Sequence, residues 1–117
     1  MKVTANGIGL RYDLVGRAGA PVVTLAHSLA ADLSLWDAQA AALVPAGYRA
    51  LRYDARGHGG SAGPPGPYSA VQMAEDLAGL RSALGITRTH FVGLPMGGIV
   101  GMEAALRWPE LVLAGVA

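Results

Sequence analysis

Cysteine is absent from the 117 residues. That absence excludes a disulfide scaffold, a thiol nucleophile and a Cys-type zinc site. Lysine is nearly absent: Lys2 is the single one among nine cations, which face eight carboxylates for a formal charge of +1. So even a balance excludes the basic face that nucleic-acid binding needs. Charged residues make up only 15% and hydrophobic ones 52%, with a mean hydropathy of +0.36. This is too apolar for a disordered chain. It is also high for a small monomer, whose large relative surface needs polar cover. No apolar run approaches the ~20 residues of a membrane span; the longest ends the chain at Leu111–Ala117. Met1 to Gly7 holds no apolar leader segment, so no signal peptide is expected and the cytoplasm is the expected compartment. The length predicts one domain, 1–117.

What is present alternates in type. Asn6-Gly7 signals a type I′ hairpin between a short run at Val3 and a strand at Ile8–Val15. Pro21–His27 is a continuous apolar strand of the kind buried on both faces. Ser34 reads as the cap of a helix that ends before Pro45 and Gly47, and Tyr48–Asp54 as a strand. Arg56 to Pro67 holds five glycines and three prolines and must be a loop. Ser69-Ala-Val-Gln72 is a capping box. Behind it Met73, Leu77, Leu80 and Leu84 repeat at helical spacing until Gly85. Strand Thr89–Leu94, helix Met96–Trp108 and strand Leu111–Ala117 follow. The order predicts an α/β fold: a mostly parallel sheet of about six strands, opened by a hairpin, with helices on both faces.

In such a sheet, sites form at the carboxyl ends of strands. Three loops qualify, beginning at His27-Ser28-Leu29, at Asp54, and at Gly93-Leu94-Pro95-Met96-Gly97. The third has the setting of a nucleophile elbow, Gly-x-Ser-x-Gly between a strand and a helix. Pro95 holds the nucleophile position. Proline has no nucleophilic atom, and its fixed φ predicts an altered turn and a plain helix start. The stretch Gly57–Ala62 matches a dinucleotide fingerprint only in its glycines. The prolines after it stand where a helix should begin, so no such cofactor is expected. The three histidines lack metal-ligand spacing, and no metal site is expected.

Taken in order, several segments carry a resemblance. They are His27-Ser28-Leu29, Asp32…Trp36-Asp37, Arg52-Tyr53-Asp54-Ala55-Arg56-Gly57-His58-Gly59, Pro64-Pro65-Gly66-Pro67-Tyr68-Ser69 and Phe91-Val92-Gly93-Leu94-Pro95-Met96-Gly97-Gly98. Together they resemble the N-terminal part of an α/β-hydrolase, in particular the 3-oxoadipate enol-lactonase-like group. The resemblance implies a partial α/β-hydrolase fold in a single truncated domain, and carboxylic ester or lactone chemistry. It implies oxyanion-type donors at the backbone N–H groups of Leu29 and Met96. It implies that the family's acid and histidine belong to later segments, absent here. Triad chemistry needs nucleophile, base and orienting acid together. Family activity is therefore expected to be lost or residual.

Two alternatives stand beside that expectation. One is a small ester hydrolase with a substitute Ser28/Ser61–His58 site, either within one chain or across a dimer interface. The other is a non-enzymatic binding or assembly module using the pocket between His27, His58 and Pro95. The bland reading makes His58 and Ser61 turn residues and Asp54–Arg56 a loop-bracing ion pair. Expected partners are a small ester or lactone and a second copy, joined through the apolar edge strand Leu111–Ala117. No nucleic acid and no membrane are expected.

Overall fold

A computed structural model describes residues 1–64, 66, 68–110 and 112–116; at 95 and 112–116 it describes the backbone alone. Asn6 and Gly7 carry φ of 50° and 79°, so the expected hairpin turn forms. It joins β1 (Lys2–Ala5) to β2 (Ile8–Val15). The chain continues through β3 (Val22–Ala26), a 3-10 turn (Leu33–Trp36), α1 (Asp37–Leu43), β4 (Arg49–Tyr53), α2 (Ala70–Ala83), β5 (Thr89–Gly93), α3 (Pro95–Arg107) and β6 (Val112–Val116).

The six strands lie in the order β1-β2-β4-β3-β5-β6. The pairs β3–β4, β3–β5 and β5–β6 are parallel, while β1–β2 and β2–β4 are antiparallel. The sheet is thus mostly parallel, as expected, with the hairpin at one end. β3 is buried at every position because both of its faces are covered. On one face Val22, Ala26, Leu51, Tyr53 and Phe91 pack with Leu77 and Leu80 of α2 and Val100 and Ala104 of α3. On the other, Val23, Leu25 and Val92 pack with Trp36 and Leu43. Helices therefore cover both faces. Thr24 and Thr89 join their hydroxyls at 2.8 Å across β3 and β5, which removes the penalty for burying either one.

Ser69 Oγ accepts the N–H of Gln72, and Gly85 at φ 71° ends α2, as the sequence indicated. The cap after β3 is corrected. Asp32, not Ser34, is the N-cap: its carboxylate accepts both the N–H and the hydroxyl of Ser34. These bonds hold the Asp32 carboxyl below the usual carboxylate range, the Ser34 hydroxyl first and its amide second. The segment opens as a 3-10 turn before becoming α1. In the expected association segment, Leu111 and Ala117 lie outside the described residues. Among the described residues no helix is long and apolar enough to cross a membrane.

Candidate active site at the carboxyl edge of the sheet

β3, β4 and β5 end side by side at Ala26, Tyr53 and Gly93. The segments that leave them carry Ser28 and Leu29 after β3, His58 and Ser61 after β4, and Pro95 and Met96 at the start of α3. Asp54 is fully buried where they meet. One carboxylate oxygen accepts the N–H of Leu33 at 2.7 Å. The other accepts the N–H of Gly60 at 2.8 Å and the guanidinium of Arg11 at 3.2 Å. One side chain thus ties the loop after β3, the loop after β4 and strand β2 together. The fit is close at Gly59, with φ 50°, where a Cβ would stand 2.2 Å from the Asp54 carboxylate. Only glycine tolerates both conditions.

Ser61 belongs to this brace. Its hydroxyl accepts the N–H of Arg11 at 2.8 Å and donates to the carbonyl of Asp54 at 2.5 Å. A hydroxyl held on both sides is a strut for the loop, the geometry that a turn residue would have. The expected Asp54–Arg56 ion pair is also corrected. Arg56 turns toward α2 and forms a two-point pair with Asp76, at 2.6 and 2.8 Å. Asp54 has already turned the other way, toward Leu33 and Gly60. Asp76 also accepts from Asn6 at 2.9 Å, which docks the first hairpin onto α2. Its hydrogen bond is the main reason that the Arg56 guanidinium sits above the ordinary arginine range. Neither Arg11 nor Asp76 was singled out from the sequence. Their partners lie 43 and 20 residues away, and no local pattern marks such pairs.

His27 is buried, with both ring nitrogens engaged. The N–H of Ala55 donates to Nε2 at 2.9 Å, so Nε2 carries the lone pair. Nδ1 therefore holds the proton and donates to the carbonyl of Ser28 at 2.8 Å. His58 stands against it, with ring centroids 5.0 Å apart. His58 Nδ1 is 3.1 Å from the carbonyl of Arg56 and donates there. That leaves Nε2 of His58 as its basic nitrogen. Ser28 is half-buried and Leu29 is 73% exposed, on the same loop as His27.

Ala30 closes that loop with φ 63°, in the left-handed region. A non-glycine residue held there is strained by about 1 kcal/mol. Ala30→Gly should therefore raise stability by roughly 0.5 kcal/mol, after allowance for the greater freedom of the unfolded chain. Thermal unfolding checks this. A lower melting temperature would show that the alanine methyl contributes more than the strain removes.

The elbow is built on close approach. Leu94 holds an extended backbone, φ −85° and ψ 177°, and caps α3 without a side-chain acceptor. Pro95 takes the first turn of α3, where its missing N–H is harmless. A Cβ at Gly93 would meet Gly98 N at 2.5 Å, one at Gly97 would meet the Ala26 carbonyl oxygen at 2.6 Å, and one at Gly101 would meet the Phe91 ring at 2.3 Å. The glycines at 97 and 101 thus let α3 lie directly on the sheet. Met96, half-buried, follows Pro95 in the first turn of α3, where N–H groups have no partner within the helix. A carbonyl or carboxylate oxygen beside that turn meets amide donors and the positive end of the helix. Among the described residues, no group of three or more His, Asp or Glu side chains could hold a metal.

Comparison with known proteins agrees with this geometry. A sequence model described as the alpha/beta hydrolase fold matches residues 21–117. The chain is 37% identical over 108 residues to 3-oxoadipate enol-lactonase 2 of Acinetobacter baylyi, spanning 92% of this chain and 40% of that protein. It is 39% identical over 114 residues to epoxide hydrolase A of Mycobacterium tuberculosis, spanning 96% of this chain and 35% of that one. The solved enol-lactonase of Burkholderia xenovorans superposes with a TM-score of 0.94 at 41% identity, over 98% of this chain and 45% of that one. The chain spans about two fifths of the length of the curated relatives it matches.

Proposed function

The chain belongs to the α/β hydrolase fold family, and from that premise we propose that it is a member of the ester- and lactone-hydrolase lineage whose elbow binds a carbonyl group without attacking it. The observation that carries this reading is Pro95 at the first turn of α3, between Gly93 and Gly97. The elbow keeps its glycines, its close helix–sheet contact and the amide-rich end of α3. It lacks the hydroxyl that would form the acyl-enzyme. Leu29 N–H and Met96 N–H are the donors we assign to the bound oxygen. The ligand class is a small carboxylic ester or lactone. Lactone and epoxide hydrolases among the relatives support hydrolase lineage, and the enol-lactonases favour the carbonyl substrate.

Hydrolysis of a short-chain p-nitrophenyl ester tests this. The expected result is no saturable turnover by the purified chain. Pro95→Ser alone should also restore none, since a serine gains little unless a base and an orienting acid are placed beside it. One observation favours a second reading, a substitute site of Ser28 with His58. His58 keeps a basic Nε2 beside the ring that precedes Ser28. Saturable turnover that disappears in Ser28→Ala or His58→Ala would replace the first reading with the second.

We also propose self-association beside β6. Ile99, Met102 and Leu106 are exposed at helical spacing on α3, which packs against β6. A contiguous apolar stripe of that kind marks a contact surface. Sedimentation at tens of micromolar should give a dimer or larger species, reverting toward monomer in Met102→Glu/Leu106→Glu. A monodisperse monomer of the unaltered chain would refute it.

A further inference from the structure

We infer that Asp32 sets the charge of the ligand: its carboxylate keeps carboxylate-bearing esters from the elbow and leaves the place to neutral ones with an apolar tail. The inference rests on the carbonyl-binding reading above and adds what the rest of the ligand must be. The loop that carries Leu29 runs on through Ala30, Ala31 and Asp32. With Ser34, Leu35 and Gly59, these three line an open cavity of about 420 Å³. A ligand whose carbonyl meets Leu29 N–H therefore has room for its tail one residue further along the same loop. Most of what lies around that tail is apolar. Leu29 is 73% exposed, Leu35 44% and Leu94 37%, and uncovered leucines gain when an alkyl group displaces water from them. The one ionisable side chain in the cavity lining is Asp32.

A carboxylate on the tail would need a cation, and each arginine at this edge is already engaged. Arg11 is held by Asp54 at 3.2 Å, and Arg56 by Asp76 at 2.6 Å. Arg52 is held twice, by Asp13 at 2.7 Å and by Asp37 at 2.5 Å. Arg17, Arg49, Arg81, Arg88 and Arg107 follow β2, open β4, or flank the far ends of α2 and α3, at the opposite end of the sheet. Lys2 stands on β1, the outermost strand. Among the described residues no guanidinium pairs with Asp32. The one arginine it interacts with electrostatically is Arg11, whose charge Asp54 already offsets. Asp32 spends one oxygen, Oδ1, on both the amide and the hydroxyl of Ser34. Among the described residues Oδ2 has no hydrogen-bond donor, so its charge is left to act on whatever enters the cavity. Two like charges several ångströms apart in a half-wet site disfavour binding by about tenfold at low salt. Because the cavity is open, dissolved ions weaken that repulsion.

The test uses two esters of one shape. They are methyl pentanoate and monomethyl glutarate, in which a carboxylate replaces the terminal methyl. Binding to the whole chain is followed at about pH 7 by nuclear magnetic resonance of the Leu29 and Met96 amides, at about 20 mM and about 500 mM salt. The expected result is that methyl pentanoate binds about fivefold or more tighter at low salt, and that the gap shrinks at high salt. Asp32→Asn, which can still cap the turn, should close most of the low-salt gap, mainly by strengthening monomethyl glutarate binding. Glu103→Gln removes an equal charge from α3, where Glu103 pairs with Arg107, and should leave the gap in place. The inference is overturned if monomethyl glutarate binds as tightly as methyl pentanoate at low salt, if salt leaves the gap unchanged, or if the gap survives Asp32→Asn. If neither ester moves the two amides, the carbonyl-binding reading itself falls, and this inference with it. Because the salt series is read in the unaltered chain, a variant that fails to fold does not remove the test.

Discussion

Asp76→Ala should lower stability by about 3–5 kcal/mol, the largest loss expected from any single side-chain truncation here. Arg56 and Asp76 are 5% and 2% exposed, so solvent does little to weaken their pair. Removing the carboxylate leaves a buried guanidinium with two N–H groups unmatched, at Nε and Nη2. It also frees Asn6, which anchors the first hairpin to α2. For a domain of this size the melting temperature should fall by roughly 10–20 °C. The pair itself is not expected to be worth that much, since desolvation offsets most of its attraction. Replacing both members, Arg56→Met with Asp76→Leu, should therefore recover much of the loss. The decisive result is the comparison of single and double variants in thermal or urea unfolding. Equal stability of the two would mean that the cost comes from Asn6 and the hairpin rather than from the stranded charge. The hydroxyl of Tyr53 gives a second readout. Burial first, and then the charge of Asp76, push it well above the ordinary phenol range. Loss of Asp76 should make it easier to ionise.

These bonds also explain what could and could not be read from the chain. The Asn6-Gly7 turn, the Ser69 cap and the Gly85 stop are local: each is decided by residues within four positions, so the sequence displays them. The parallel sheet was legible because β3 is apolar at every position but Thr24. The cap at Asp32 was missed because Asp32 and Ser34 are both capping residues two positions apart. Only three-dimensional geometry decides which one accepts. Ser61 was read as a candidate nucleophile because its chemistry is right. That its hydroxyl is held between Arg11 and Asp54 depends on β2, 50 residues earlier. Arg56 was matched with Asp54, its neighbour in sequence, whereas α2 carries its true partner. The strain at Ala30 has no signal in residue type at all, because alanine gives no hint of a left-handed backbone.

Gly97→Ala should be strongly damaging although it adds a single methyl to the elbow. Its Cβ would lie 2.6 Å from both the Cβ and the carbonyl oxygen of Ala26, and 2.9 Å from the carbonyl carbon. Two of these atoms are backbone in β3, which is paired on both sides and cannot yield locally. The helix must move instead. That separates α3 from the sheet and strains the 3.3 Å bond from Leu94 N–H to the Ala26 carbonyl. Overpacking of this kind costs about 3 kcal/mol or more when the neighbour is rigid. Gly9→Ala is the fitting control, since nothing lies within 4 Å of a Cβ there. It should change stability by under about 1 kcal/mol. Ala26→Gly in the Gly97→Ala background removes the Cβ contact but leaves the carbonyl contact, so rescue should be partial. Full rescue would show that the side chain of Ala26, and not the β3 backbone, sets the height of α3. The same displacement should move Met96 N–H away from Leu29 N–H, because Leu29 follows β3 and Met96 lies in the first turn of α3. Binding of a small carboxylic ester or lactone should then weaken even where the protein is held folded at low temperature, while Gly9→Ala leaves it unchanged. The glycines of the elbow would thus be needed for carbonyl binding in a chain that has no nucleophile between them.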